Sequence, residues 1–371
     1  VKDNLRKGGS RKLLSCDGGG IRGIISIEIL SRIEEELRAL NSKPDLVLAD
    51  YFDYVAGTST GAIIATLVAL GFGTDAIRQF YIKSGPEMFH PARLWDRLRT
   101  KFDDDNLSRM LKEVIGEETT LDSDKLQTLL MVVLRNATTD SPWPVSSNPK
   151  GKYNDPGTRG ETSNLKLPLW QLVRASTAAP TYFPPEVINV GAQHFVFVDG
   201  AVTVYNNPAF QLFLMATAEP YRLCWPTGED KMLLVSVGTG ATANANENLS
   251  PLEMNLLYNA SSIPAALMAA ALNQQDFLCR VFGKCLVGDI LDREVGDVMG
   301  QGISGMAKLF TYTRYNTELS REGLNALGLE KIEPAHVHRI DSAKHIDEML
   351  EVGCAVAAKK VTASHFAGFP V

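Results

Sequence analysis

The sequence predicts a three-layer α/β fold, with a central, mainly parallel sheet flanked by helices and a mostly helical extension toward its C-terminal end. Three observations carry that expectation. Short apolar runs at 12–16, 129–134, 195–198 and 232–237 read as buried strands, and the stretches between them are long enough to return as helices. Two glycine-rich junctions, 17–23 and 57–61, stand where an apolar run gives way to a helical pattern. The 371 residues are 45% hydrophobic and 22% charged, the composition of an ordinary globular chain able to bury a large core. Residues 12–240 are therefore expected to form the main domain, and 241–371 a helical extension packed on the same core.

The first strand, 12–16, runs into Asp17-Gly18-Gly19-Gly20-Ile21-Arg22-Gly23. Consecutive glycines let the backbone turn with positive φ and leave N–H groups open to a ligand. A helix that starts beside them favours negative charge at the same place. That helix, 23–40, sets Ile27, Leu30, Ile33, Leu37 and Leu40 on one face, with Glu28, Glu35 and Arg38 away from it. Gly18, Gly20 and Gly23 also spell Gly-x-Gly-x-x-Gly, the dinucleotide fingerprint. That reading wants an acidic residue about 20 positions further on, at the end of a second strand. Asp45 and Asp50 are near that distance, but Ser42-Lys43-Pro44-Asp45 is a loop.

The second junction is Gly57-Thr58-Ser59-Thr60-Gly61, preceded by the apolar stretch 51–56 and followed by the apolar helix 62–70. Strand, Gly-x-Ser-x-Gly and helix together are the context of a nucleophile elbow. Gly57 and Gly61 flank the serine because so tight a turn leaves no room for side chains there. An ordinary small-residue turn would look alike in isolation. The glycine loop upstream favours a nucleophile facing an oxyanion hole.

Serine needs a base. The apolar strand 195–198 ends in Asp199-Gly200-Ala201, which places a carboxylate at the tip of a strand. Its plainer reading is a turn, since Asp-Gly often starts one. Tyr205-Asn206-Asn207-Pro208 follows, with a helix expected from Pro208. A Ser-His-Asp triad is the rival, with His336, His338, His345 or His365 as base. Those histidines lie in a polar stretch or near the end of the sequence, where surface positions are the rule.

Three motifs in order, Asp-Gly-Gly-Gly-x-Arg-Gly, Gly-Thr-Ser-Thr-Gly and Asp-Gly-Ala followed by Asn-Asn-Pro, resemble the patatin-like phospholipases. Segments 174–185 and 234–240 agree, so the resemblance covers roughly 12–240. It implies a patatin-like fold, a Ser59–Asp199 dyad, and an oxyanion hole built from the amides of Gly18, Gly19 and Gly20. It also implies a lipid acyl hydrolase of the phospholipase A type, acting on phospholipid or another acyl-ester lipid without a cofactor. Arg22 would brace the glycine loop or lie near a phosphate headgroup, with a structural ion pair as the plainer alternative. Gly57, Gly61 and Gly200 would support the turns. Because an unperturbed aspartate is a feeble base at neutral pH, Asp199 is expected to be desolvated. The last third departs from the plant storage pattern: 279–285, 292–297 and 310–316 resemble a bacterial subset. Some members of that subset are anti-phage effectors switched on by cyclic dinucleotides, which would nominate Arg280, Lys284, Arg293 and Arg314 for phosphates. A non-catalytic storage role is disfavoured, since the catalytic elements are all present.

Other features set bounds. No apolar run reaches the roughly 18 residues of a membrane span. The basic residues Lys2, Arg6, Lys7, Arg11 and Lys12 lack an apolar h-region, so no signal peptide is read there. Five cysteines without Cys-x-x-Cys spacing suggest buried reduced thiols and a cytoplasmic setting. Net charge is −6, so no general attraction to anionic membranes is expected, nor is a nucleic-acid polymer as partner. Leu94, Trp95, Leu98 and Phe102, interleaved with Arg93, Arg97, Arg99 and Lys101, would suit peripheral membrane contact; a helix packed on the core is the plainer reading. Residues 103–106 lack the spacing of a calcium loop, and no metal site is read anywhere. The polar stretch 138–164 is expected to be a long loop.

Overall fold

The computed structural model describes residues 9–88, 104–180, 182–241 and 256–371. Nine strands form a single sheet: β1 (Arg11–Cys16), β2 (Tyr54–Thr58), β3 (Leu129–Asn136), β4 (Ser141–Ser146), β5 (Glu186–Val190), β6 (Gln193–Asp199), β7 (Met232–Val237), β8 (Lys284–Val287) and β9 (Thr311–Tyr315). Their order is β5-β6-β3-β2-β1-β7-β9-β8, with β4 pairing β3 beside this path. The six strands from β3 to β8 along that order are parallel neighbours, whereas β4, β5 and β6 pair antiparallel.

Alternation along the central strands divides the core in two. Leu14, Leu130, Val132, Leu233 and Val235 join one apolar cluster, with helices Gly23–Asn41, Thr60–Ala69 and Ile346–Lys360. Leu13, Leu129, Met131, Met232 and Leu234 join the other, against helix Ala209–Thr217. Side chains of a strand point to opposite faces, so the strands of a parallel sheet covered on both faces read as near-continuous apolar runs. This is the three-layer α/β arrangement that the sequence predicts. The helix-rich last third also supplies β8 and β9, which extend the same sheet.

Several expectations need correction. Residues 138–164 contain β4, whose Pro142 and Pro144 argue against a strand until its place is known. They alternate along one side of β4, opposite Arg135 and Val133, so no rung of the ladder toward β3 is lost. Strand β6 is antiparallel and only partly buried, with Val196 exposed, so its apolar run is not a parallel core strand. Helix Gly23–Asn41 buries Glu28 and Glu34 and exposes Leu40. The reason is tertiary: helix Ile346–Lys360 covers Glu28, so closely that a Cβ on Gly353 would lie 2.7 Å from Glu28 Cβ, and Glu34 accepts from Thr74 at the start of helix Thr74–Met88. Glu28 is neutralised there by Arg78, and Glu34 by Arg38. All five cysteines are free, but Cys224 and Cys354 are exposed. Among the described residues, no helix is long and apolar enough to cross a membrane. The segment 91–102, considered above for membrane contact, lies outside the described residues.

Candidate active site

Adjacent parallel strands β1 and β2 end side by side, with Cys16 opposite Gly57, and both glycine motifs leave from these carboxyl ends. Open α/β sheets hold their ligands in this place. Ser59 occupies the residue before helix Thr60–Ala69, at φ 55° and ψ −125°. A non-glycine residue in that region is strained, as a sharp elbow requires. The flanking glycines are steric necessities: a Cβ on Gly57 would sit 2.0 Å from Gly61 O, and one on Gly61 2.2 Å from Cys16 O.

Asp199 arrives along β3. Val133 pairs with Thr58 of β2, and the next residue, Leu134, pairs with Asp199 of β6. Consecutive positions on one strand thus bring the two tips together. Ser59 Oγ donates to Asp199 Oδ2 at 2.7 Å, and the other carboxylate oxygen accepts the Ala201 N–H at 2.7 Å. Asp199 is 2% exposed and Ser59 7%. Burial pushes the Asp199 carboxyl up to about 7, against the opposing pull of its two hydrogen bonds. Gly200 fits only because it is glycine, since a Cβ would lie 2.2 Å from Val133 O.

The glycine loop lies against this pair. A Cβ on Gly18 would stand 3.2 Å from Ser59 Cβ. The Gly18 N–H donates to Asn206 O at 3.1 Å, whereas those of Gly19 and Gly20 have no partner among the described residues. Thr239, from the loop after β7, donates to Gly18 O at 3.0 Å. On the other side, the Ile21 N–H donates to Ile340 O at 2.9 Å and Arg22 Nη1 to His338 O at 3.3 Å. Arg22 has no carboxylate partner among the described residues, and burial pulls its guanidinium down to about 10. The structural ion pair considered for it is therefore absent from the described contacts.

Three supporting residues lie in segments the sequence singles out, but their roles are not read from it. Ser176 accepts the Ser59 N–H at 2.9 Å and donates to Val133 O at 2.6 Å, tying the elbow to β3. Asn206 fixes Gly18 through its carbonyl. Arg314, on β9, holds Asp17 with contacts of 2.9 and 2.6 Å.

The rival readings place their residues elsewhere. His336 and His345 contact Glu348, His338 contacts Leu319 O, and His365 contacts Tyr315, so none of the four late histidines reaches Ser59 or Asp199. Asp50 lies in the short helix Leu48–Tyr51 rather than at a strand end. Of the cations nominated for phosphates, Arg280 is buried against Asp276, Arg314 against Asp17, and Lys284 pairs with Glu229. A cavity of about 760 Å³ opens beside β4 and the β5–β6 hairpin, lined by Trp143, Tyr153, Arg159 and Phe195 among others; neither Ser59 nor Asp199 lines it.

The chain is similar to several known proteins. Patatin-17 of Solanum cardiophyllum is 31% identical over 258 residues, covering 65% of this chain and 63% of that protein. Patatin-01 of Solanum tuberosum is 30% identical over 248 residues, 62% and 61% of the two chains. The match thus spans a little over three fifths of the curated relatives' length, 63% and 61%. Among solved structures, VipD from Legionella pneumophila aligns with a TM-score of 0.36 at 13% identity, over 93% of this chain and 67% of its own. The type III effector ExoU aligns with a TM-score of 0.26 at 13% identity, over 72% and 53%. The family model for patatin-like phospholipases matches residues 14–213, a span that runs from β1 through the elbow and Asp199 into helix Ala209–Thr217. By that match, the chain belongs to the patatin-like phospholipase family.

Proposed function

We propose that this protein is a lipid acyl hydrolase of the phospholipase A type, cleaving fatty-acyl esters of membrane phospholipids through a Ser59–Asp199 dyad. One observation carries the reading: a strained serine at the tip of a turn donates at 2.7 Å to a buried aspartate. Asp199 receives the Oγ proton as Oγ bonds to the ester carbonyl carbon, and the carbonyl electrons move onto oxygen. The unpartnered N–H groups of Gly19 and Gly20 receive that oxyanion; such a donor is typically worth about 2.7–4 kcal/mol. Gly18, whose N–H is engaged by Asn206, sets the approach to Ser59 instead. Collapse breaks the ester C–O bond, and Asp199 returns the proton to the leaving alcohol. Water then attacks the acyl-serine, gives its proton to Asp199, and releases the fatty acid as Ser59 regains its hydrogen.

A carboxyl held near 7 suits both halves of this cycle, because the efficiency of an acid–base group peaks when its pKa is near the working pH. Arg22, without a carboxylate partner among the described residues, is suited to a headgroup phosphate beside the glycine loop. For gating by a cyclic dinucleotide, three of the four nominated cations, Arg280, Arg314 and Lys284, are engaged in ion pairs, and only Arg293 has no ion pair among the described residues. The test is hydrolysis of a defined phospholipid panel by wild type, Ser59→Ala and Asp199→Asn, with products identified by mass. Loss of fatty-acid release in both variants, with folding intact, supports the reading. Undiminished release by Ser59→Ala overturns it.

A further inference from the structure

Outside the dyad, the described residues contain a convergent set of metal-ligating groups on the segment that supports the glycine loop. His336, near the end of helix Pro334–His338, and His345, just before helix Ile346–Lys360, both direct Nδ1 at Glu348. The Nδ1–Oε1 distances are 3.0 Å from His336 and 2.8 Å from His345. The two imidazole rings stack at 3.8 Å with 17° between their planes. The three side chains are 39%, 30% and 29% exposed, so the cluster is open to solvent ions.

We propose that His336, His345 and Glu348 bind a divalent cation of the zinc type, and that binding stiffens residues 338–345 beneath the glycine loop. Three potential ligand atoms, one from each residue, converge within 4.8 Å of one another. Without a cation, an Nδ1–H on each neutral ring can donate to the Glu348 carboxylate. A single cation can take the place of both Nδ1 protons. Because a metal lies in the plane of each imidazole that binds it, the two rings would turn out of their 3.8 Å stack to share one. Two nitrogens and a carboxylate oxygen make a common zinc set with an open fourth position. Bonds of about 2.0–2.2 Å at tetrahedral angles put ligand atoms about 3.4 Å apart. Side chains 29–39% exposed have room to turn into that arrangement.

The position gives such binding a consequence. Residues 339–345 join the two helices that carry the ligands, and Ile340 and His338 within or next to this span accept from Ile21 and Arg22. Gly20 meets the same segment, where a Cβ would lie 2.3 Å from Ile340 O. A cation bound to His336, His345 and Glu348 would close this span into a short loop. The carbonyls that support the glycine loop would then move less.

The test uses the intact chain and zinc alone. Calorimetric titration of wild type should show one zinc per chain, and cobalt in its place should give visible absorption of a nitrogen- and oxygen-ligated ion. His345→Ala, His336→Ala and Glu348→Gln should each weaken binding by at least about a hundredfold, since loss of an outer-shell partner alone costs 10–100-fold. His194→Ala, at an exposed histidine elsewhere, should leave binding unchanged. Hydrogen exchange of the Ile21 amide should slow by at least about tenfold at saturating zinc. Absence of binding, or binding that survives the His336 and His345 substitutions, overturns the site. Site-specific binding without slower exchange at Ile21 overturns the coupling. Neither readout depends on the hydrolase reading.

Discussion

Arg314 and Asp17, 297 positions apart, form a buried two-point ion pair, with Nη2 2.6 Å from Oδ2 and Nη1 2.9 Å from Oδ1. Asp17 begins the glycine loop, and Arg314 stands on β9, two strands away across β7. Arg314 Nη1 also donates to Ser236 on β7, at 2.8 Å. The first residue of the loop is thereby fastened to the part of the sheet contributed by the last third of the chain.

Removing one partner of such a pair leaves a buried charge uncompensated, which costs about 3–5 kcal/mol. Arg314→Met should lose stability on that scale in urea unfolding. The double variant Asp17→Asn/Arg314→Met should recover most of it, because no lone charge remains. A single variant as stable as wild type would show that the pair does not hold the loop.

Asp199 should trade stability for chemistry. Its folded-state carboxyl is raised to about 7 from the usual value of 3.8, so the folded protein holds a proton the unfolded chain has already lost. Stability is therefore greatest below the unfolded value and falls as pH rises through the window from about 4 to 7. Asp199→Asn removes the penalty of charging a buried group. The variant should match wild type below pH about 4 and exceed it above pH about 7, by up to about 4 kcal/mol. Denaturant midpoints across that range would measure the difference.

The same shift sets the pH dependence of activity. In the proposed mechanism Asp199 must be ionised to take the Ser59 proton, so kcat/KM should rise with pH and level off above an apparent pKa near 7. Asp199→Asn should lower kcat by about 10²–10⁴-fold, the usual contribution of a positioned base. A profile with its acid limb near the ordinary aspartate value would contradict the burial of the dyad.

Gly61→Ala tests the elbow by sterics alone. Its Cβ would fall 2.2 Å from Cys16 O and 2.6 Å from Asp17 O, both backbone atoms that cannot rotate away. Relief would require β1 and helix Thr60–Ala69 to separate, so the variant should lose both thermal stability and ester hydrolysis. Gly368→Ala, with nothing within 4 Å of its Cβ, is the neutral control.

Local chemistry is what the sequence made legible. Gly-x-Ser-x-Gly beside an apolar helix specifies an elbow because only glycine fits where a Cβ would meet backbone. Runs such as 232–237 specify buried parallel strands because both faces must be apolar. Residues 138–164 were illegible for the converse reason: prolines are tolerated in β4 only because of which side of it pairs with β3. The inward turn of Glu28 was equally hidden, since the helix that covers it lies more than 300 residues along the chain, 326 from Glu28 to Cys354.

By itself, the sequence determined the central strands, the serine elbow and the glycine loop, all fixed by steric and dihedral preferences within a few residues. Only the tertiary structure decided what these meet. The register of β3 brings Asp199 to Ser59 across 140 positions, and burial raises that carboxyl. Arg314, nominated by its charge for a phosphate, is taken up by Asp17, and the Gly18 N–H is taken up by Asn206. Charge and donor count are properties of a residue, but availability depends on neighbours that distant segments bring into contact.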